Sequence, residues 1–141
     1  GPIISQQSVP VPEGIGEAAL ERTLAERGGE LLAGAVWALA RGEARPRAQE
    51  AAQATAYPWP EAADYRLTPA RPASWAHRFV CGLRARGQPI TVRLGEAEYR
   101  VIGSLGYEAT ASLDAPWRLR DGELWLRCAP GVFHAQVAPL P

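Results

Sequence analysis

The 141-residue chain contains no Met, no Lys and no Asn, and only two Cys and two His. Each shortage closes a route. With two His and no Lys, few side chains can act as general acids or bases near neutral pH. Cys81 and Cys128 lie far apart with no CxxC, and His77 and His134 form no ligand-spaced motif, so no metal site is expected. Both cysteines read as small buried apolar residues of a chain kept in the reducing cytoplasm. No Ser-His-Asp or Cys-His nucleophilic set can be placed. Residues 13–16 read Glu-Gly-Ile-Gly, which is not the GxGxxG of a phosphate-cradling loop. No apolar run approaches the about 20 residues of a membrane span. The opening residues lack the basic start and apolar centre of a signal peptide. Absence of Met at position 1 raises the expectation that Gly1 lies inside something longer.

Apolar residues make up 47% and charged residues 21%, enough for one domain or two small ones with a buried core. All 15 basic residues are Arg, and the 15 acids bring the net charge to zero. The balance is uneven. Residues 1–64 hold 5 Arg against 9 acids, and residues 65–141 hold 10 Arg against 6 acids. An excess of cations in one half is a mark of polyanion binding, with a solvated surface as the plainer alternative. Glu96 and Glu98 sit at a turn and read as solvated charges.

"PIISQQSVPV" reads as a short strand leading into a loop. "GEAALERTLAERG" reads as a helix that Gly28–Gly29 breaks or kinks. "ELLAGAVWALARG" reads as a second, amphipathic helix, with Leu31, Leu32, Val36 and Leu39 turned to a core, Arg41 in its last turn and Gly42 as its stop. Residues 43–73, rich in Ala and Pro, read as a linker lying across a surface through Tyr57 and Trp59. Ser74 is expected to cap a helix over "WAHRFVCGLRAR", closed by Gly87.

The period then changes to alternation. "PITVRL" and "EYRVI" are expected strands around a turn at Gly95, and "GVFHAQV" a last strand. "WRLR-DG-ELWLRC" reads as a hairpin, because Asp-Gly suits a type I′ turn. A two-residue turn fixes the register: Arg120 opposite Glu123, Leu119 opposite Leu124, Arg118 opposite Trp125, Trp117 opposite Leu126. Trp117, Leu119, Leu124 and Leu126 then face a core. Arg118, Arg120, Glu123, Trp125 and Arg127 face the other way, where an Arg over Trp125 could form a cation–π pair. An aromatic among guanidiniums on a sheet face suits nucleic acid as well as it suits plain solvent. The residues alone describe a small curled β-domain with one helix, and a binding or supporting piece without the machinery of a complete enzyme.

The order of segments resembles the methionyl-tRNA formyltransferase family. Its members carry an Asp, a small residue and a Gly just before a strand, and "GPIISQQSVPV" looks like the stretch after that Asp, with Gly1 as the motif's Gly. "LAERGGELLAGAVWALARGEARPRAQ" looks like the pair of helices that ends the catalytic domain. "AQATAYPWPEAADYRL" resembles the family linker, with Asp64-Tyr65-Arg66-Leu67 in place of its "RIDW"-like run. The likeness covers residues 1–67. Beyond, "HRFVCGLRARGQPI" keeps only Arg78 and Phe79 of the family's Arg-Ala-Phe-Asn-Pro-Trp-Pro run. The resemblance implies an α+β chain. Residues 1–42 would end a Rossmann-like catalytic domain, 43–73 would be a linker, and 74–141 an OB-like β-barrel with one helix.

It implies formyl transfer from 10-formyltetrahydrofolate, as co-substrate of the longer enzyme, to methionyl initiator tRNA in the cytoplasm, through an Asn-His-Asp set. That set is not in this chain, so the expected role is to hold tRNA beside the upstream part of the catalytic domain, with no catalytic residue, bound cofactor, metal or membrane of its own. The expected tRNA contacts are Arg84, Arg86, Arg93, Arg100, Arg118, Arg120, Trp125 and Arg127. A formyltransferase-like enzyme acting on a small amine such as an amino sugar, and a non-catalytic binding module, stay open as alternatives.

Overall fold

The structure, a computed structural model, describes residues 1–84 and 87–140. The chain is α+β, with two helices and a five-stranded antiparallel sheet. It divides into two compact units: one of Gly1–Val11 and Ala18–Trp59, the other of Pro12–Glu17 with the chain from Pro60 onward.

The first unit is built on one continuous helix, α1 (Glu17–Ala40). The expected break at Gly28–Gly29 does not occur. Each glycine costs a helix about 1 kcal/mol, but strong helix formers flank the pair, and an Arg27–Glu30 ion pair of 3.0 Å spans it. The helix ends as expected at Gly42, whose φ is +68°. The Gly42 amide donates to the Leu39 carbonyl at 3.0 Å and the Glu43 amide to that of Ala38 at 2.9 Å, which satisfies the last-turn carbonyls. No α1 side chain is buried, and Leu32, Val36 and Leu39, expected to meet a core, are at least half exposed. The expected N-terminal strand reduces to a single bridge between Ile3 and Arg47. Tyr57 and Trp59 are 88% and 90% exposed, so neither ring is packed against a surface as expected.

In the second unit the sheet is ordered β1 (Thr91–Leu94), β2 (Ala97–Glu108), β5 (Val132–Pro139), β4 (Glu123–Arg127), β3 (Trp117–Arg120). β2 is longer than "EYRVI" suggests and carries two register shifts, at Val101/Gly103 and Ser104/Gly106. Such bulges bend a strand and tighten its twist, and the sheet curls into half a barrel. Helix α2 (Ala73–Leu83) lays Ala73, Ala76 and Val80, spaced three and four apart, into the core with Phe133, Leu124 and Val92. Its cap is Pro72, whose carbonyl accepts the Ala76 amide at 3.1 Å, so Ser74 lies inside the first turn. Leu67 runs beside β1, donating its amide to Thr91 at 2.7 Å, and is buried with Tyr65.

The hairpin register is the one the Asp-Gly turn dictates, with Asp121 and Gly122 both at positive φ, 52° and 81°. Leu124 and Leu126 are buried as expected, whereas Trp117 and Leu119 are each 37% exposed. They lie on β3, an edge strand with no neighbour beyond it to complete their burial. Among the described residues, no helix is long and apolar enough to cross a membrane.

Candidate nucleic-acid interface

Strand alternation puts the arginines of the β-unit opposite the core. On β4, Leu124 and Leu126 point inward, so Glu123, Trp125 and Arg127 point outward. Val92 and Leu94 turn Arg93 out of β1, and Val101 turns Arg100 out of β2. Pairing across β3, β4 and β5 then sets up rows. Arg118, Trp125 and His134 are register partners in one row, and Arg120, Glu123 and Gln136 in the next.

The ring partner of Trp125 is His134. The two rings stack at 4.5 Å with an interplanar angle of 15°, and Glu123 Oε2 lies 3.1 Å from His134 Nε2. Arg118 is the β3 neighbour of Trp125, but the ring stack is made on the other side, with His134 of β5. The cation–π contact found is Arg71 over Trp75, at 5.9 Å. His134 was missed because nothing local in "GVFHAQV" says which strand its sheet partner is. His134 and Gln136 alternate with buried Phe133, Ala135 and Val137, which puts them on the outer face.

The structure gathers the expected residues into three groups. Arg84 and Arg100 line one small cavity with Gln88 and Ile102. Arg93 and Arg127 line another with Trp117. Arg118, Arg120 and Trp125 share the outer face of the hairpin. Arg86 lies outside the described residues. Arg120 pairs with Asp121 at 3.3 Å, but both side chains are more than 80% exposed, so the pair holds Arg120 weakly and leaves it available to a phosphate. Arg127 donates to the Leu113 carbonyl at 3.3 Å and Arg93 to that of Gly95 at 3.1 Å.

A second polar cluster was not read from the sequence. Glu13 accepts from the Tyr107 hydroxyl at 2.6 Å and from Arg78 at 3.2 Å. The Tyr107 hydrogen bond, with Arg78 behind it, holds the Glu13 carboxyl below its usual range, and the same bond pushes Tyr107 up. Next to it, His77 Nδ1 lies 2.7 Å from Ser104 Oγ, and Cys81 Sγ lies 3.9 Å from either ring nitrogen. Burial pushes the Cys81 thiol up, which keeps it protonated. Gly14 covers the Nε2 side of the ring so closely that a Cβ there would be 2.9 Å away. The cluster packs residues 12–17 onto the β-unit. Among the described residues, no three His, Cys, Asp or Glu side chains converge as metal ligands would. No protein-family model matches the chain, and no curated protein matches its sequence.

Proposed function

We propose that the chain supplies the tRNA-holding part of a cytoplasmic formyltransferase resembling the methionyl-tRNA formyltransferases, with 10-formyltetrahydrofolate as co-substrate of the longer enzyme. The observation that carries this reading is the outer sheet face, where Arg118 and Arg120 of β3 lie beside the stacked Trp125–His134 pair and Arg100 stands on β2, the strand next to β5. Guanidiniums neutralise phosphates, while a flat aromatic pair offers a stacking surface to unpaired bases. The curled antiparallel sheet with one packed helix is compatible with an OB-like barrel. The uncovered apolar side chains of α1, among them Leu32, Val36 and Trp37, support a second part of the reading: α1 belongs to the end of a Rossmann-like catalytic domain and takes its cover from that domain's sheet. The sequence contains no Asn, so the Asn-His-Asp set of that family would have to be supplied by the rest of the enzyme, and the 141-residue chain alone is expected to transfer no formyl group.

The test is the salt dependence of tRNA binding. The logarithm of affinity should fall linearly with the logarithm of salt, by about 0.7–0.9 per phosphate contact. Replacing Arg118 and Arg120 together by Ala should flatten the slope by about 1.5. A salt-independent signal, or no binding at low salt, overturns the tRNA-holding role.

A further inference from the structure

The cavity shared by Arg93 and Arg127 has a volume of about 330 Å³ and lies in the β-unit among Pro69 and Ala70, Arg93 of β1, Pro116 and Trp117 at the start of β3, and the end of β4. Its floor is Leu126 and Cys128, both less than 10% exposed, and its wall is Trp117. The Trp117 ring is set against Gly95, with Cη2 and Cζ2 at 3.6 and 3.7 Å from where a Cβ on that glycine would sit. Trp75 stacks on Phe79 at 4.7 Å and Trp125 on His134 at 4.5 Å, but among the described residues Trp117 has no ring partner. The two guanidiniums are each aimed by one backbone carbonyl. A guanidinium has five N–H donors, and neither arginine has an acidic partner among the described residues.

An unstacked indole, two arginines outside any ion pair and an apolar floor ask for a ligand that is flat and apolar at one end and doubly accepting at the other. The volume is at the small end of ligand pockets, about 300–1,000 Å³, which limits the occupant to a single unit. We infer that the cavity takes one unstacked nucleotide, its base against Trp117 and its phosphate between Arg93 and Arg127. This deepens the tRNA-holding reading and rests on it for the source, an unpaired residue of an RNA chain. A free nucleoside monophosphate has the same chemistry.

The full chain is titrated calorimetrically with AMP, with a single-stranded octaribonucleotide and with the same octamer paired to its complement. W117A, W117F, the R93A/R127A pair and the R118A/R120A pair are compared with the parent, with circular dichroism as the check on folding. Octamer affinity should fall about tenfold or more in W117A and in R93A/R127A, since stacking and charged phosphate contacts are each of that size. It should hold within about threefold in W117F, which keeps a ring. Pairing the octamer should remove the dependence on Trp117. Should W117A not fold, R93A/R127A and W117F carry the test. Octamer binding that R118A/R120A weakens but W117A and R93A/R127A leave unchanged overturns the cavity and keeps the tRNA-holding face. AMP binding lost in W117A, with no RNA bound at all, keeps the cavity as a site for free nucleotide and removes the tRNA-holding face.

Discussion

Replacing Gly131 by Ala should be among the most damaging single-methyl changes in the β-unit. Gly131 precedes β5 and has φ +93°. A Cβ built there lies 2.5 Å from the Glu108 carbonyl oxygen, 3.0 Å from that of Ala109 and 3.1 Å from Ala109 Cα. All three are backbone atoms just after the last residue of β2 or at its end, so no side chain can swing aside. The left-handed backbone costs a non-glycine residue about 1–2 kcal/mol, and forcing a methyl into filled space a further 1–3 kcal/mol or so. The sum, about 2–5 kcal/mol, is a large part of the roughly 5–15 kcal/mol that holds a domain folded. Gly122 is the control. Its φ is +81° in the hairpin turn, but a Cβ there meets its nearest neighbour, the Val137 carbonyl oxygen, only at 3.4 Å. G122A should therefore cost about 1–2 kcal/mol from the backbone alone. Urea unfolding followed by near-ultraviolet circular dichroism gives both values, because Trp75 and Trp125 each stack on a second ring in this unit. A G131A chain within about 0.5 kcal/mol of the parent, or a G122A chain less stable than G131A, refutes the reasoning.

Two further outcomes are expected. Because the folded-state pKa of Glu13 is lowered from its ordinary 4.5, its contribution to stability is complete above that value and is lost as the pH falls through the folded one. Tyr107 has its pKa raised above 10.0, so its share is complete below that value and is lost as the pH rises through the folded one. Melting temperature against pH should lose part of its acid limb in E13Q and part of its alkaline limb in Y107F; unchanged limbs would mean that the clamp contributes nothing. In α1, Gly28 and Gly29 have no neighbour within 4 Å of an added Cβ. G28A and G29A should each raise helix stability by about 0.5–1 kcal/mol, read from the helical signal on thermal melting; a loss would show that the helix needs its glycines.

The hairpin was legible in the sequence because everything that fixes it is local: two residues that accept positive φ, and alternation on either side. The stop of α1 was legible for the same reason, since Gly42 supplies the φ that the last turn requires. What failed was what depends on distant neighbours. Whether Gly28–Gly29 breaks a helix depends on the helix formers and the ion pair around it, and there cooperativity won. Trp117 and Leu119 have the right parity for a core but sit on an edge strand with no further strand paired to it among the described residues, which the hairpin cannot reveal. Of the interface, Arg118, Arg120, Arg127 and Trp125 could be placed on one face of the hairpin by period alone. The His134 partner could not, because it needs β5 to lie next to β4, and strand order is not written in either segment.

That order gives β5 a position with kinetic weight. β1–β2 and β3–β4 are each hairpins of neighbouring segments, joined by short loops. They do not touch each other as sheet partners; β5 lies between β2 and β4, and comes after both in the chain. Until residues 132–139 have left the ribosome, the two hairpins are separate, each with an unpaired edge and with Leu124, Leu126, Val92 and Val101 short of their cover from Phe133, Ala135 and Val137. Closing the sheet then requires contacts between segments far apart in sequence, the slow kind of step in folding. Assembly of the outer face, and with it the Trp125–His134 stack, therefore waits for β5, and a chain arrested before residue 132 lacks it.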